Sequence, residues 1–178
     1  MNLNPIAGKH GAAVGAVQVA LSLVVYIAHT ELLFNAWFSL STWVLLFVAM
    51  YLGLKGVRES EGGVLRFARA WGHAYAVALA MTAIVMAFAI VLYGVIDPGL
   101  VELAVKSSMS QIEEVTAMLG GSASDFEAAF ENVEPEIRKQ FTPVGILTSG
   151  FWSLVVYLIP TLIMALAMRR SESIDPAV

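Results

Sequence analysis

Four long apolar segments dominate the pattern of hydrophobic and polar positions along the chain. They cover residues 11–28, 36–54, 71–96 and 144–168, and none of them contains Asp, Glu, Lys or Arg. A helix needs about 20 predominantly apolar residues to cross the hydrocarbon core of a bilayer. The pattern therefore predicts an all-α integral membrane protein built as a bundle of four spanning helices.

Turn and capping residues mark the ends of the later spans. Asp97-Pro98-Gly99 is expected to end the third span, because proline disfavours helical geometry in the residue before it and glycine permits a turn. Thr142 is the expected N-cap of the fourth span, with Pro143 as its first helical residue. Pro160 predicts a kink inside that span, which either shapes a pocket or serves packing.

The connection of residues 97–143, between the third and fourth spans, has a helical pattern of its own. Apolar residues recur at spacings of three and four from Val101 to Leu119, which predicts a helix with one apolar face. Gly120-Gly121 is the expected C-terminal stop of this helix.

A second short helix is predicted later in the same connection. Ser124 and Glu127 form a capping-box pattern, and a third helical turn is expected to begin at Pro135. The residues expected to face inward are Phe126, Ala129, Phe130 and Val133. We therefore predict that residues 97–143 fold as an acidic helical cap on the extracytoplasmic membrane surface.

The distribution of basic residues predicts the orientation of the chain. Only three of the ten Lys and Arg residues lie in the acidic connection of residues 97–143. The other seven flank the spans at the opposite side: Lys9, Lys55, Arg58, Arg66, Arg69, Arg169 and Arg170. Because short cytoplasmic loops carry an excess of basic residues, both termini and the basic connection of residues 55–70 are expected in the cytoplasm.

Composition excludes several classes of function. The chain has no cysteine, so it has no disulfide, no cysteine-ligated metal and no thiol nucleophile. Its net charge of −4 gives no reason to expect a nucleic-acid partner. The sequence contains no recognisable hydrolase, metalloprotease, phosphate-loop or calcium-loop pattern. We expect no catalytic residues, no metal site and no cofactor.

Small residues recur on one face of the first and third spans. Such faces let helices approach closely enough for dispersion to hold them together in lipid, so these two spans are expected to be neighbours. The alternative is that alanine is merely common in membrane helices. The expected helix-packing positions are Gly11, Gly15, Gly72, Ala76 and Ala80.

The basic connection is also the candidate binding site. Lys55, Arg58, Arg66, Arg69 and His73 are candidates for contact with anionic lipid head groups or a cytoplasmic phosphate. The competing interpretation is that these charges only fix topology.

His10 and His73 raise a separate alternative. Both are expected at the cytoplasmic ends of neighbouring spans, where two imidazoles are able to ligate haem iron or a metal. Solvated or backbone-bonded histidines are the competing interpretation, because no metal-ligand spacing accompanies them.

With these segments in view, the chain resembles a family of small four-pass bacterial membrane proteins catalogued as a domain of unknown function. The residues that carry the resemblance are Gly53 to Arg58 followed by Gly62-Gly63 and Phe67, then Asp97-Pro98, and then the acidic helical connection. The resemblance covers nearly the whole chain. It implies a four-helix fold in the bacterial inner membrane and specifies no activity.

These features favour a protein that acts through contacts. The leading hypothesis is a non-enzymatic accessory, scaffold or homo-oligomeric subunit, with membrane lipids and a membrane-protein partner or a second copy as its contacts. The alternative is a small transporter or pore-forming subunit, although coupled transporters usually carry ionisable groups within their spans. A membrane enzyme acting on lipid is a third hypothesis.

Overall fold

The computed structural model describes residues 5–120 and 123–169, and within these ranges the protein is all α with no β-strand. Two helices continue into short segments of different pitch: α1 is followed by a 3-10 helix at Thr30–Phe34, and α3 by a π-helical turn at Leu92–Ile96. The seven α-helices are α1 (Pro5–His29), α2 (Ala36–Ser60), α3 (Phe67–Val91), α4 (Leu100–Met118), α5 (Ala123–Gln140), α6 (Pro143–Val156) and α7 (Leu158–Met168).

Four helical stretches are long and apolar enough to cross a membrane, which confirms the predicted spans. They are Ile6–Phe34, Ala36–Ser60, Phe67–Ile96 and Pro143–Met168. The protein is a multi-pass membrane protein.

The chain divides into two compact units. The first contains α1 up to Ala20, residues Ser41–Val85 and residues 152–169. The second contains Leu21–Leu40 and Met86–Phe151.

In the first unit, α1 lies against both α2 and α3. A Cβ added at Gly11 would collide with the backbone carbonyl of Val77 on α3, and it would lie 3.0 Å from the Cβ of Ala80. A Cβ added at Gly53 on α2 would come within 2.7 Å of a Val77 methyl group. Small residues thus let three helices approach closely around Val77, and dispersion contacts of this kind hold helices together in lipid.

A hydrogen bond also joins α1 to α2. The side-chain amide of Gln18 donates to the hydroxyl of Thr42 over 3.0 Å, and Gln18 is 2% exposed. Pairing a polar side chain inside the bundle avoids leaving it against hydrocarbon.

Two helices extend further than the apolar pattern predicts. Because α2 continues to Ser60 and α3 begins at Phe67, the nonhelical part of the predicted basic connection shrinks to residues 61–66. Gly62 and Gly63 turn the chain there with φ values of 72° and 91°, a region that favours glycine. The Gly63 amide donates to the Arg58 carbonyl over 2.9 Å and so caps the end of α2.

The fourth span is interrupted at Tyr157, three residues before Pro160. Proline has no amide hydrogen to donate to the carbonyl four residues earlier, which accounts for the break expected in this span. The Tyr157 ring makes an edge contact with Trp43 of α2, with the ring centroids 5.3 Å apart. Thr161, which is fully buried, accepts a hydrogen bond from the Trp71 indole of α3 over 3.3 Å.

In the second unit, the helix signals around the third and fourth spans are confirmed. The π-helical turn ends at Ile96, and Asp97 then accepts hydrogen bonds from the Gly99 amide over 3.0 Å and from the Tyr26 hydroxyl over 3.1 Å. Thr142 caps α6 by accepting from the Gly145 amide over 3.1 Å.

The connection between the third and fourth spans forms two helices, α4 and α5, which pack against each other as an antiparallel pair. The prediction of a separate turn at Pro135 is wrong, since Pro135 lies inside the continuous helix α5. It is exposed, so water is able to satisfy the carbonyl that lacks a helical partner. The side chains of Ser124, Phe126 and Ala129 lie outside the described part of the structure.

Aromatic contacts hold the ends of this connection to the neighbouring segments. Phe141, between α5 and α6, makes edge contacts with Phe34 and Tyr93 at centroid distances of 6.1 and 4.9 Å. One ring thereby joins the 3-10 helix, the π-helical turn and the start of the fourth span.

Candidate functional site

The predicted basic site is distributed over two helices and the turn between them. Lys55 and Arg58 lie on α2, Arg66 lies in the turn, and Arg69 and His73 lie on α3. Neutralising partners are found for two of them: Lys55 lies 3.9 Å from Glu59, and Arg69 lies 3.1 Å from Glu61. Exposed pairs of this kind contribute little to stability, but they reduce the positive charge offered to an anion.

Arg58 and Arg66 differ from the other two basic residues of this site. Neither forms an ion pair with an acid within residues 5–120 or 123–169. Arg66 is exposed and Arg58 is half-buried. Arg66 is therefore an exposed cation of this site that has no acidic partner among the described residues.

His73 does not share that accessible surface. It is 1% exposed, and its Nδ1 donates to the Arg69 carbonyl of its own helix over 2.6 Å. Burial keeps its ring from contact with a lipid head group in this conformation.

His10 makes the same type of contact on α1. Its Nδ1 donates to the Ile6 carbonyl over 2.8 Å, and its ring lies against Gly56 of α2. A backbone bond at Nδ1 fixes the tautomer of an imidazole. Both histidines of the haem or metal hypothesis thus use one ring nitrogen on their own helices.

In the second unit, Arg138 ties α5 to α4. Its guanidinium pairs with both carboxylate oxygens of Glu102, and its Nε donates to Glu134 over 2.9 Å. These hydrogen bonds hold the pKa of the Glu102 carboxyl below its ordinary value and raise the pKa of the Arg138 guanidinium. We call the paired helices α4 and α5 the outer hairpin, after the side of the membrane on which the distribution of basic residues predicts them.

The apolar face of α4 is covered at one end only. Val105 is 7% exposed, but exposure rises to 39% at Met109, 54% at Val115 and 82% at Leu119. Met118 is 75% exposed, and Val133 on α5, which was expected to face inward, is 40% exposed. We call Val115, Met118 and Leu119 the apolar tip of the outer hairpin.

The opposite face of α4 lines an open cleft. The 3-10 helix lies across this face, and the Gln111 amide donates to the Phe34 carbonyl over 3.4 Å. The volume of the cleft is about 650 Å³. Its polar lining residues are Glu31, Asn35, Lys106, Ser107, Ser110, Gln111 and Glu114.

A second hollow of about 650 Å³ lies beside this cleft and shares part of its wall. The residues common to both are Glu31, Leu32 and Leu103, and His29 and Thr30 complete the second hollow. The end of the cleft near Glu31 is therefore also the end near Leu103 of α4.

Sequence reasoning missed this cleft, although α4 carries a signal for it. Lys106, Ser107, Ser110, Gln111 and Glu114 recur at helical spacing opposite the apolar face. A polar face of that kind normally faces water, so only the position of the 3-10 helix over it reveals a recess.

A comparison with known families matches most of the chain. Residues 9–170 match the family model described as "Protein of unknown function (DUF4199)". The chain belongs to DUF4199. No curated protein and no solved structure matches it.

Membership in DUF4199 confirms the resemblance to a domain of unknown function. That resemblance was drawn from Gly53 to Arg58 with Gly62-Gly63 and Phe67, from Asp97-Pro98 and from the acidic helical connection. The DUF4199 match includes all four spanning helices except the first residues of α1, and it includes the whole outer hairpin. The cleft and the apolar tip therefore both lie within the DUF4199 region.

Proposed function

We propose that this protein is a non-catalytic subunit that binds another membrane protein through the apolar tip of its outer hairpin. The observation that carries the proposal is the exposure of Val115, Met118 and Leu119 at the end of α4. Contiguous exposed apolar side chains outside a membrane span mark an interaction surface. Burying such side chains is favourable by about 25 cal/mol per Å² of apolar surface.

The acidic residues beside the apolar tip indicate what kind of partner the tip binds. Glu113 and Glu114 precede the tip on α4, and Glu127 and Glu131 are exposed on α5. Acidic side chains are repelled by an anionic lipid surface. We therefore assign the tip to an apolar groove with a basic rim on a partner protein, because complementary potentials speed and orient association.

The location we propose follows from the sequence. Basic residues cluster at the termini and around residues 55–70, whereas acids dominate the outer hairpin. By the positive-inside rule, this supports both termini in the cytoplasm and the hairpin at the extracytoplasmic face. The resemblance described above supports the bacterial inner membrane.

Site-specific crosslinking tests the proposal, because the chain has no cysteine and a single introduced thiol is unique. Leu119→Cys labelled with a photocrosslinker is expected to trap one membrane protein in cells. Met109→Cys is the matched control, since it lies on the same helix about 15 Å away at 1.5 Å per residue. The crosslinked peptide of the partner should contain apolar and basic residues.

Substitutions at the tip provide the second measurement. Met118→Ser is expected to lose the partner during purification in mild detergent, whereas Met109→Ser retains it. Recovery of the wild-type protein alone, or a crosslink only to a second copy of this chain, would contradict the proposal. Solute flux through proteoliposomes that contain only this protein would instead support the transporter hypothesis and overturn ours.

A further inference from the structure

The cleft between the 3-10 helix and α4 carries charges that the fold does not neutralise. Glu31, Lys106 and Glu114 line it, and none of them forms an ion pair within residues 5–120 and 123–169. By contrast, Arg138 pairs with Glu102 and Glu134, and Lys139 lies 3.7 Å from Glu136. Lys106 is thus the one Lys or Arg of the described second unit without an acidic partner.

The two acidic residues of the cleft, Glu31 and Glu114, lie in different parts of it. Lys106 and Glu114 are eight residues apart on α4, which is about 12 Å along the helix axis. Glu31 instead shares its part of the wall with Leu103, one turn before Lys106. A small ligand held at Lys106 therefore has Glu31, and not Glu114, as its acidic neighbour.

The cleft also lies where the chain leaves two apolar spans. The 3-10 helix ends the first apolar stretch, Ile6–Phe34, and α4 begins four residues after the third, Phe67–Ile96. Lipid head groups occupy the zone at the ends of membrane spans. Leu32 and Val115 add exposed apolar surface to the wall, at 47% and 54% exposure.

We propose that this cleft binds the head group of a zwitterionic phospholipid that carries a primary ammonium group. Lys106, with the hydroxyl of Ser107 beside it, receives the phosphate, because a lysine ammonium binds phosphate as a point charge with several donors. The Glu31 carboxylate receives the ammonium group. The cleft shares Val115 with the apolar tip, but the residues that receive the head group, Lys106, Ser107 and Glu31, lie outside the tip. The lipid proposal therefore does not rest on the partner proposed for the tip.

The test compares two lipids that differ at the ammonium group. Detergent-purified full-length protein is titrated with phosphatidylethanolamine or phosphatidylglycerol of the same acyl chains, and bound lipid is measured by native mass spectrometry. The titration uses the Arg66→Gln background, which weakens binding of anionic lipid by the basic residues around the turn before α3. This protein is expected to bind phosphatidylethanolamine about five-fold more tightly than phosphatidylglycerol, since one interfacial charge contact contributes about that factor. Equal binding of the two lipids would overturn the proposal.

Three single substitutions test which residue binds the phosphate and which binds the ammonium group of the lipid. Glu31→Gln is expected to abolish the preference for phosphatidylethanolamine, and Lys106→Met is expected to weaken both lipids by a similar factor. Glu113→Gln, adjacent to Glu114 but outside the cleft lining, is the matched charge control and should bind as wild type. A preserved preference in Glu31→Gln, or an equal loss in Glu113→Gln, would contradict the assignment.

A soluble competitor distinguishes a lipid site from a solute site. Glycerophosphoethanolamine carries the same charges without acyl chains, and it is expected to displace the lipid only at much higher concentration. Displacement at equal concentration would overturn the lipid assignment. Crosslinking from position 119 is expected to stay unchanged in Glu31→Gln, so failure of the lipid site and failure of the partner proposal are separable.

Discussion

Arg138 on α5 pairs its guanidinium with both carboxylate oxygens of Glu102 on α4, with Nη2 and Oε2 3.0 Å apart. Glu102 lies in the first turn of α4 and Arg138 in the last turn of α5. The pair therefore closes the outer hairpin at the end where it joins the spans. A bidentate pair fixes geometry as well as proximity, because the two hydrogen bonds orient the planar guanidinium.

Loss of the Arg138–Glu102 pair should destabilise the contact between the start of α4 and the end of α5, which is the base of the outer hairpin. Arg138→Met removes the hydrogen bonds to Glu102 and Glu134 while retaining an apolar stem of similar length. We expect faster amide hydrogen exchange in the first turns of α4 and the last turns of α5. Lys139→Met is the matched control, because the Lys139 ammonium group pairs with Glu136 of its own helix and with no other acid of the described residues. Equal exchange in the two variants would show that the pair does not hold the hairpin.

The same pair predicts a dependence on pH. Because Arg138 lowers the pKa of Glu102 in the folded protein, the stabilisation is present above the pKa of the unfolded chain. It is lost as the pH falls through the lower, folded-state value, where the carboxyl gains a proton. The protection factors of amides at the hairpin base, which correct for the slower intrinsic exchange of amides at acid pH, should therefore fall on acidification in wild type. Glu102→Gln should show low protection factors at the hairpin base already at neutral pH, and these factors should change less with pH.

The spans and their end signals were predictable because they depend on local chemistry. A run of about 20 apolar residues has few alternatives to a membrane helix. Thr142-Pro143 fixes a helix start through one side-chain bond and a restricted φ angle, and both act within four residues. Such features require no knowledge of the rest of the fold.

The cleft and the uncovered tip were not predictable because they depend on which segments meet. The apolar face of α4 continues from Val105 to Leu119 in the sequence, but only its first part is covered in the structure. The extension of α2 to Ser60 was also missed, because charged residues end an apolar run without ending a helix. Pro135 was misread as a helix start, although an exposed helix tolerates a proline when water satisfies the freed carbonyl.

Helix packing in the first unit predicts that replacing a glycine of α1 by alanine lowers stability at Gly11 but not at Gly8. In Gly11→Ala the new methyl group would meet the Val77 carbonyl, a backbone atom that moves only if α1 or α3 shifts. Overpacking of this kind costs about 1–3 kcal/mol of unfolding free energy. Gly8→Ala is the matched control on the same helix, since no atom of another described helix lies within 4 Å of its added Cβ.

Unfolding in mixed detergent micelles measures both glycine variants. Gly8→Ala should be neutral or more stable by up to about 1 kcal/mol, because alanine favours the helix over glycine. Similar stabilities for the two alanine variants would argue against close contact between α1 and α3 at Gly11.

Arg66, in the short turn before α3, and Arg69, in the first turn of α3, are expected to contribute differently to binding of anionic lipid. Arg69 has Glu61 at 3.1 Å, whereas Arg66 is exposed and has no ion pair within residues 5–120 and 123–169. A basic residue near an anionic surface contributes about 1 kcal/mol, and a neighbouring acid offsets part of that attraction. Arg66→Gln should therefore weaken binding of phosphatidylglycerol at this site by about five-fold, and Arg69→Gln by less.

The measurement is native mass spectrometry with phosphatidylglycerol in the Lys106→Met background, which weakens the proposed cleft site. Glu61→Gln supplies the reciprocal test, because removing the acid frees Arg69 and should strengthen binding. If binding is unchanged in both arginine variants and in Glu61→Gln, the basic residues around this turn serve only to orient the chain. A larger loss from Arg69→Gln than from Arg66→Gln would instead mean that the lipid displaces Glu61 from Arg69.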